Sequence, residues 1–81
     1  PASAMMLEID VHPGAPFVGS KVSEIGLPVG VLIVALERRG VDFVVTGATL
    51  LNAGDRLAIA VAPEAAHALG PLRVGLGLEH D

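Results

Sequence analysis

The sequence has no cysteine, no tryptophan and no tyrosine, and only two phenylalanines among its 81 residues. The absence of cysteine excludes disulfide bonds, thiolate nucleophiles and cysteine-based zinc or iron–sulfur sites. Basic residues are also few, five against nine acidic ones, and the net charge is −4. Nucleic-acid-binding domains usually carry a basic patch and aromatic stacking platforms, so we expect no nucleic-acid partner. The same charge disfavours adsorption to anionic lipids.

Long hydrophobic runs are missing as well, although 52% of the residues are hydrophobic. The longest uninterrupted apolar run, from Val31 to Leu36, is far shorter than the ~20 residues that cross a bilayer, and no secretory signal is visible. We therefore expect one small cytoplasmic domain without direct membrane insertion. A chain of this size buries only roughly 60% of its unfolded surface, which favours association with a second copy.

Turn residues divide the first half of the chain into short elements. The alternation in MLEIDV, residues 6–11, predicts a strand with one wet face. A short helix is predicted over residues 21–25, because Ser20 is a suitable N-cap, Gly26 can end the helix and Pro28 prevents its continuation. The run VLIVALERR, residues 31–39, predicts a second strand. Since this run has no polar side chain before Glu37, we expect both of its sides to be covered.

In the second half, RRG predicts a hairpin turn and VDFVV, residues 41–45, the returning strand. Large and small apolar side chains alternate in RLAIAVA, residues 56–62, which predicts another strand. Its small side chains form a face on which a bulky partner can approach closely, a dimer or packing face made of Ala58, Ala60 and Ala62. PEAAHAL, residues 63–69, begins with proline and predicts a second short helix.

The ends of the chain carry weaker signals. We assign the domain to residues 6–72. Residues 1–5 are interpreted as a cloning remnant or linker. Residues 73–81 are rich in glycine, and we expect a weak last strand or a flexible tail there.

Gly54 and Asp55 precede the strand at 56–62 and predict a structural turn, in which the carboxylate accepts backbone N–H groups. A catalytic role would need a second positioned group, and the local spacing supplies none. The three histidines lack the spacing of metal ligands. We therefore expect neither an enzyme nor a metal site. Arg38 and Arg39 allow two interpretations: an anion or nucleotide subsite, or a solvated hairpin turn.

Two half-patterns in the chain are specific enough to indicate a family. The first is a glycine–proline turn, a short helix and an apolar strand that ends in basic residues, carried by Gly14, Pro16, Gly19, Leu27, Pro28 and the run from Val31 to Arg38. The second is a Gly-x-Thr-x-Leu-x-x-Gly-Asp-x-Leu motif, carried by Gly47, Thr49, Leu51, Gly54, Asp55 and Leu57. Over residues 6–72 the chain resembles the RCK_C domain, also called TrkA-C, the C-terminal regulatory domain of potassium channels, cation transporters and cation/proton antiporters.

The resemblance implies an α+β fold with a small, mostly antiparallel sheet, two short helices and a homodimer. Some RCK_C domains bind cyclic di-AMP at the dimer cleft, partly through an Asp, an Arg and an Asn. The matching positions here are Gly26, Pro28 and Leu32, while Val22 and Ile33 keep the apolar part. Cyclic di-AMP or another nucleotide is thus the ligand class that the resemblance implies, although this sequence lacks the polar residues that recognise it.

The resemblance implies a non-catalytic regulatory domain of a cation channel, in the first place for potassium, or of an antiporter. It would dimerise and sense a small ligand at the dimer cleft, and its partner would be a membrane transport subunit on the same chain or a separate one. The residues predicted to line the cleft are Val22, Ile25, Ile33, Arg38 and Arg39. The alternative is a purely structural dimerisation module without a small-molecule ligand.

Overall fold

The structure, a computed structural model, describes residues 3–79. Four strands form one antiparallel sheet in the order β1-β4-β2-β3, with β1 at Met5–Asp10, β2 at Val31–Arg38, β3 at Val41–Phe43 and β4 at Arg56–Val61. Two short 3₁₀ helices, Val22–Glu24 and Pro63–Ala68, and one α-helix, α1 at Gly70–Gly75, accompany the sheet. The predicted α+β fold with a small antiparallel sheet is confirmed, with three helical segments where two were expected.

The central strand β4 organises the core. Its side chains Leu57, Ile59 and Val61 are fully buried, as the alternation of large and small residues predicts. They lie on the inner face of the sheet together with Ile33 and Leu36 of β2. The helical segments and the loop after β1 cover this face with apolar side chains, namely Val11, Ala15, Ala65, Leu69, Leu72 and Leu76.

A β-bulge in β2 decides which side chains of this apolar strand point into the core. Ile33 pairs with Ile59, but the next pair is Ala35 with Ala58, so Val34 has no partner on β4. Because side chains alternate with a period of two, the extra residue shifts the alternation by one position. Leu36, which is only 1% exposed, thereby joins the core.

The opposite side of the sheet is not covered by the subunit itself. Met6 and Leu32 are 62% and 61% exposed, and Val34 is exposed as well. We call this side the outer face: its apolar end carries Met6, Leu32, Val34, Ala58 and Ala60, and its charged end carries Glu8, Asp10, Glu37, Asp42 and Arg56. The isolated subunit therefore buries one of the two sides of β2, and the covering of the other side by a second copy stays a prediction.

The end of the chain differs from the expectation of a weak strand or flexible tail. Residues 70–75 form α1, and Leu72 and Leu76, four positions apart, are buried in the core. Pro71 occupies the first turn of this helix, where its missing N–H costs nothing. The predicted tail residues 80–81 lie outside the described residues.

The start of the domain and the first helix also shift slightly. β1 begins at Met5, inside the segment that was interpreted as a remnant or linker, whose residues 1–2 lie outside the described residues. The helix predicted over 21–25 is a 3₁₀ turn, Val22–Glu24, stabilised where the Lys21 N–H donates to the Glu24 carboxylate at 2.9 Å. Within residues 3–79, no helix has the length and apolar character that crossing a membrane requires.

Candidate functional site

An apolar cavity of about 280 Å³ lies where the first 3₁₀ helix connects to β2. One wall is the connection itself, residues 25–28, and the other is formed by Ala68, Pro71 and Leu72. Gly26 turns the chain with a φ of 68°, a conformation that costs glycine little. No ionisable side chain lines this cavity, so it suits an apolar or aromatic group held by contact and by backbone polar atoms.

The residues predicted to line a ligand cleft separate into three places. Ile25 lines the apolar cavity, and Val22 packs against the core beside it. Ile33 is 3% exposed and lies inside the core, because it belongs to the inner side of β2; it therefore lines no surface cleft. Arg38 and Arg39 lie in a different depression of the surface.

Arg38 and Asp55 form a two-pronged ion pair that closes the turn before β4. Arg38 Nε donates to Asp55 Oδ1 at 2.8 Å and Nη2 donates to Oδ2 at 2.7 Å. Nη2 also donates to the carbonyl oxygen of Leu50 at 2.9 Å. The Asn52 N–H donates to Asp55 Oδ2 at 2.8 Å, and Asp55 is only 1% exposed. Both carboxylate oxygens are thus occupied, which leaves Asp55 a structural rather than a catalytic part of the turn.

The ion pair also sets the ionisation of its two members. Burial by itself raises the pKa of the Asp55 carboxyl, but the hydrogen bonds from Arg38 and from the Asn52 N–H outweigh burial, so its pKa lies below the ordinary value. The hydrogen bond to Asp55 raises the pKa of the Arg38 guanidinium. The pair is therefore charged on both sides throughout the physiological range.

A second and larger concavity, of about 670 Å³, lies between the β2–β3 hairpin and the turn before β4. We call it the hairpin pocket; its side-chain walls include Arg38, Arg39, Phe43, Asn52 and Asp55. The Arg38 guanidinium lies over the Phe43 ring at 5.5 Å from its centroid, a cation–π arrangement. Arg39 has a φ of 53°, and among residues 3–79 no other non-glycine residue has a positive φ.

The predicted alanine face is divided between two environments. Ala58 and Ala60 are half-buried on the outer face. Ala62 follows the end of β4, and its N–H donates to the carbonyl oxygen of Gly30 at 2.8 Å. At the charged end, Arg56 lies 3.2 Å from Glu8 and 3.7 Å from Asp10. These side chains are more than half exposed, so each pair stabilises the fold by only about 0–1 kcal/mol.

Sequence reasoning did not find three of these features. The partner of Asp55 is 17 positions away, and only the bulged alternation of β2 turns Arg38 toward it. The hairpin pocket needs Phe43 and Asn52, which carry no motif of their own. The apolar cavity needs Pro71 and Leu72 of α1, an element that was not predicted.

Comparison with known proteins places these features in a family. A family model described as the TrkA-C domain matches residues 6–72. A solved structure of an RCK domain with cda shares 26% identity with this chain, covering 79% of this chain and 90% of that one, at a TM-score of 0.63. A comparison with curated proteins gives no match.

Two structures of BusR from S. agalactiae share the fold at 23% identity. One is its RCK_C domain dimer in complex with c-di-AMP, for which the match covers 91% of this chain and 97% of that one at a TM-score of 0.70. The other is BusR in complex with its busAB-promotor DNA. Here the match covers 94% of this chain and 37% of that chain, at a TM-score of 0.69. This chain therefore corresponds to little more than a third of that BusR chain.

Proposed function

The chain belongs to the TrkA-C domain family, and from this premise we propose that it is a non-catalytic regulatory domain that pairs with a second copy and senses a small ligand. Its output is the control of cation transport, in the first place of potassium, by a channel or a cation/proton antiporter at the cytoplasmic side of the membrane. The transport protein is its partner, on the same chain or as a separate subunit.

The outer face carries the dimer part of the proposal. Exposed Met6 and Leu32 lie on either side of Ala60 in adjacent strands. Two large side chains thus border a shallow groove over the alanines of β4. A second copy can insert its own large side chains into this groove and remove both sets from water. The gain requires little burial of charge, because Asp10, Glu37 and Asp42 lie at the other end of the face and only Glu8, beside Ala58, borders the apolar end.

The apolar cavity supports ligand sensing. It lies at the same helix-to-strand connection at which related domains are expected to hold cyclic di-AMP, and the RCK_C dimer of S. agalactiae BusR is in complex with c-di-AMP. Gly26 and Pro28 line the cavity but offer no side-chain donor. Cyclic di-AMP or another nucleotide would therefore be held mainly through its bases, by apolar contact and backbone atoms.

The charge of the domain and the thermodynamics of ligand binding support the proposed output. BusR forms a complex with promotor DNA, but the present domain has nine acidic and five basic residues, and this charge balance opposes binding along the polyanionic DNA backbone. A ligand regulates a transport partner only if it binds the two relative orientations of the paired domains with different affinity. Binding would then shift the population toward one orientation of the gate.

One observation favours the second candidate, a purely structural dimerisation module. The cavity has no charged or hydrogen-bonding side chain, and specific recognition of a phosphate normally uses one. The two candidates share the dimer and differ only in the ligand.

Sedimentation velocity tests the dimer. We expect the wild-type chain to sediment as a dimer and Leu32→Glu, at the apolar end of the outer face, as a monomer. Val41→Glu is the matched control, since Val41 is also an exposed apolar side chain but lies on the edge strand β3, and it should remain a dimer. A wild-type monomer at the highest soluble concentration would refute the proposal.

Calorimetry separates sensor from scaffold. Cyclic di-AMP should bind the wild type, and Ala68→Phe, which fills the apolar cavity, should weaken binding by about tenfold or more while the dimer persists. Ala66→Phe places the same ring on an exposed position of the same 3₁₀ helix and should bind like the wild type. No heat with cyclic di-AMP, adenine nucleotides or divalent cations would favour the structural module.

A further inference from the structure

We propose that the hairpin pocket is a second binding site, which takes a small organic anion with a phosphate or carboxylate group on a planar ring. The pocket shares no lining residue with the apolar cavity, and its residues lie outside the outer face. The site therefore does not depend on the dimer or on the ligand proposed above.

Charge gives the first argument. The hairpin pocket is lined by two arginines and by one aspartate that is already paired, so its lining is net positive in a chain whose net charge is −4. By contrast, the depression on the charged end of the outer face is lined by Glu8, Glu37 and Asp42 against Arg56 alone. An anion is attracted to the hairpin pocket and repelled from its neighbour.

The backbone of Arg39 gives the second argument. Arg39 and Gly40 have φ values of 53° and 78°, as in the two-residue hairpin turns that prefer Asn, Asp or Gly at both positions. An arginine there is less stable than an asparagine, and strained residues of this kind cluster at functional sites. The turn thus places the exposed guanidinium of Arg39 at the rim of the hairpin pocket, although another residue there would make the fold more stable.

Arg38 and Phe43 give the third argument. Two nitrogens of Arg38 are fixed by Asp55 and Leu50, whereas Nη1 makes no hydrogen bond to residues 3–79. The guanidinium is thus held in place before any ligand arrives, with donors to spare. Phe43 is 43% exposed and presents an aromatic ring in the same pocket.

These groups fit one kind of ligand. Arg39 and the free donors of Arg38 suit a phosphate or carboxylate, and the Phe43 ring suits a flat apolar group packed against it. The volume of about 670 Å³ lies within the range of small-molecule sites. The exposed side chain of Asn52 adds a neutral donor and acceptor on the opposite wall.

Phenyl phosphate is the probe, because it joins the two features in one small molecule. In titrations of the isotope-labelled chain followed by NMR, phenyl phosphate should give saturable shifts at the amides of residues 38–43 and 52–55. Phenol and inorganic phosphate, each carrying one half of the probe, should bind about tenfold more weakly. Equal binding of inorganic phosphate would overturn the ring component, and the absence of saturable shifts would overturn the site.

Substitution of Arg39 tests the strain argument at the same time. Arg39→Asn should weaken phenyl phosphate binding about tenfold and raise the melting temperature, because asparagine is favoured at this φ. Phe43→Leu should weaken phenyl phosphate but not inorganic phosphate. Arg73→Gln removes the same charge from α1 and should bind like the wild type. Unchanged binding or a lower melting temperature in Arg39→Asn would refute the proposal.

Discussion

At the scale of single residues, the Asp55–Arg38 pair connects three parts of the fold: the end of β2, the backbone at Leu50, and the turn before β4. Asp55 is buried while its partner is partly exposed, so most of the desolvation falls on the carboxylate. The carboxylate recovers this energy from three hydrogen bonds. The pair is therefore important because breaking it leaves a buried charge without its partner.

Asp55→Asn should lower the free energy of unfolding by about 2–3 kcal/mol, somewhat less than the loss of a fully buried pair, because Arg38 can still reach water. Glu8→Gln is the matched control: it also replaces an arginine-bonded carboxylate by an amide, but on the exposed outer face, and should change stability by less than about 1 kcal/mol. Urea unfolding measures both. Equal effects of the two substitutions would contradict the assigned role of Asp55.

The depressed pKa of Asp55 predicts a pH dependence of defined sign. The native carboxyl holds its charge to lower pH than the unfolded one, so its contribution is complete above the unfolded value of about 3.9 and is lost as pH falls through the native pKa. The free energy of unfolding of the wild type should thus fall steeply below about pH 4. Asp55→Asn should lack that part of the slope in acid titrations of stability.

The sequence indicates the turn role of Asp55 but not its partner, and the reason is geometric. A glycine followed by aspartate before an apolar strand carries local information, because the hydrogen bond to the Asn52 N–H spans three positions. The bond to Arg38 spans 17 positions, and its existence depends on which way β2 turns its last side chain. That direction is set by the bulge at Val34, and the residue types around Val34 do not predict a bulge.

At the scale of elements, strands were predictable and the last helix was not. Alternation placed β1 and β4 within one or two residues of their observed bounds, because one face of each is buried. α1 has only six residues and no stability of its own. It forms because Leu72 and Leu76 reach the core and because the Phe17 ring packs against Gly75, contacts that a local pattern does not contain.

Gly75 offers a test of that packing. A Cβ at this position would overlap the ring of Phe17, so Gly75→Ala should destabilise the chain by about 1–3 kcal/mol through overpacking. Gly70 lies in the same helix with open space around it, and Gly70→Ala should leave stability unchanged or raise it by up to about 1 kcal/mol. Thermal unfolding of the two variants compares them directly. If Gly75→Ala left the stability unchanged, Gly75 of α1 would not pack against the Phe17 ring as described.

At the scale of the whole molecule, the subunit leaves much surface in water. It exposes 4956 Å², whereas about 4,500 Å² is usual for its mass, and it buries roughly 58% of its unfolded surface. A dimer interface of standard size, about 800 Å² per copy, would raise the buried share to about 65%. Such a gain is large for a small domain.

Dimerisation through the outer face should therefore appear as concentration-dependent stability. Each tenfold increase in protein concentration should raise the wild-type melting temperature by about 4 °C, because mass action favours the folded dimer. Leu32→Glu should melt at the same temperature at every concentration. Scanning calorimetry over a dilution series provides the measurement, and a flat wild-type curve would contradict the pairing.

The covering of only one side of the sheet also limits stoichiometry. The helices and the loop after β1 cover the inner side, so each subunit has one exposed apolar face. A second subunit bound there leaves no apolar face for a third subunit. The sheet has two edge strands, β1 with six residues and β3 with three, and only the β3 edge is too short to template the addition of further strands. Twofold pairing through the outer face uses the same surface of both copies and therefore closes on itself at two copies.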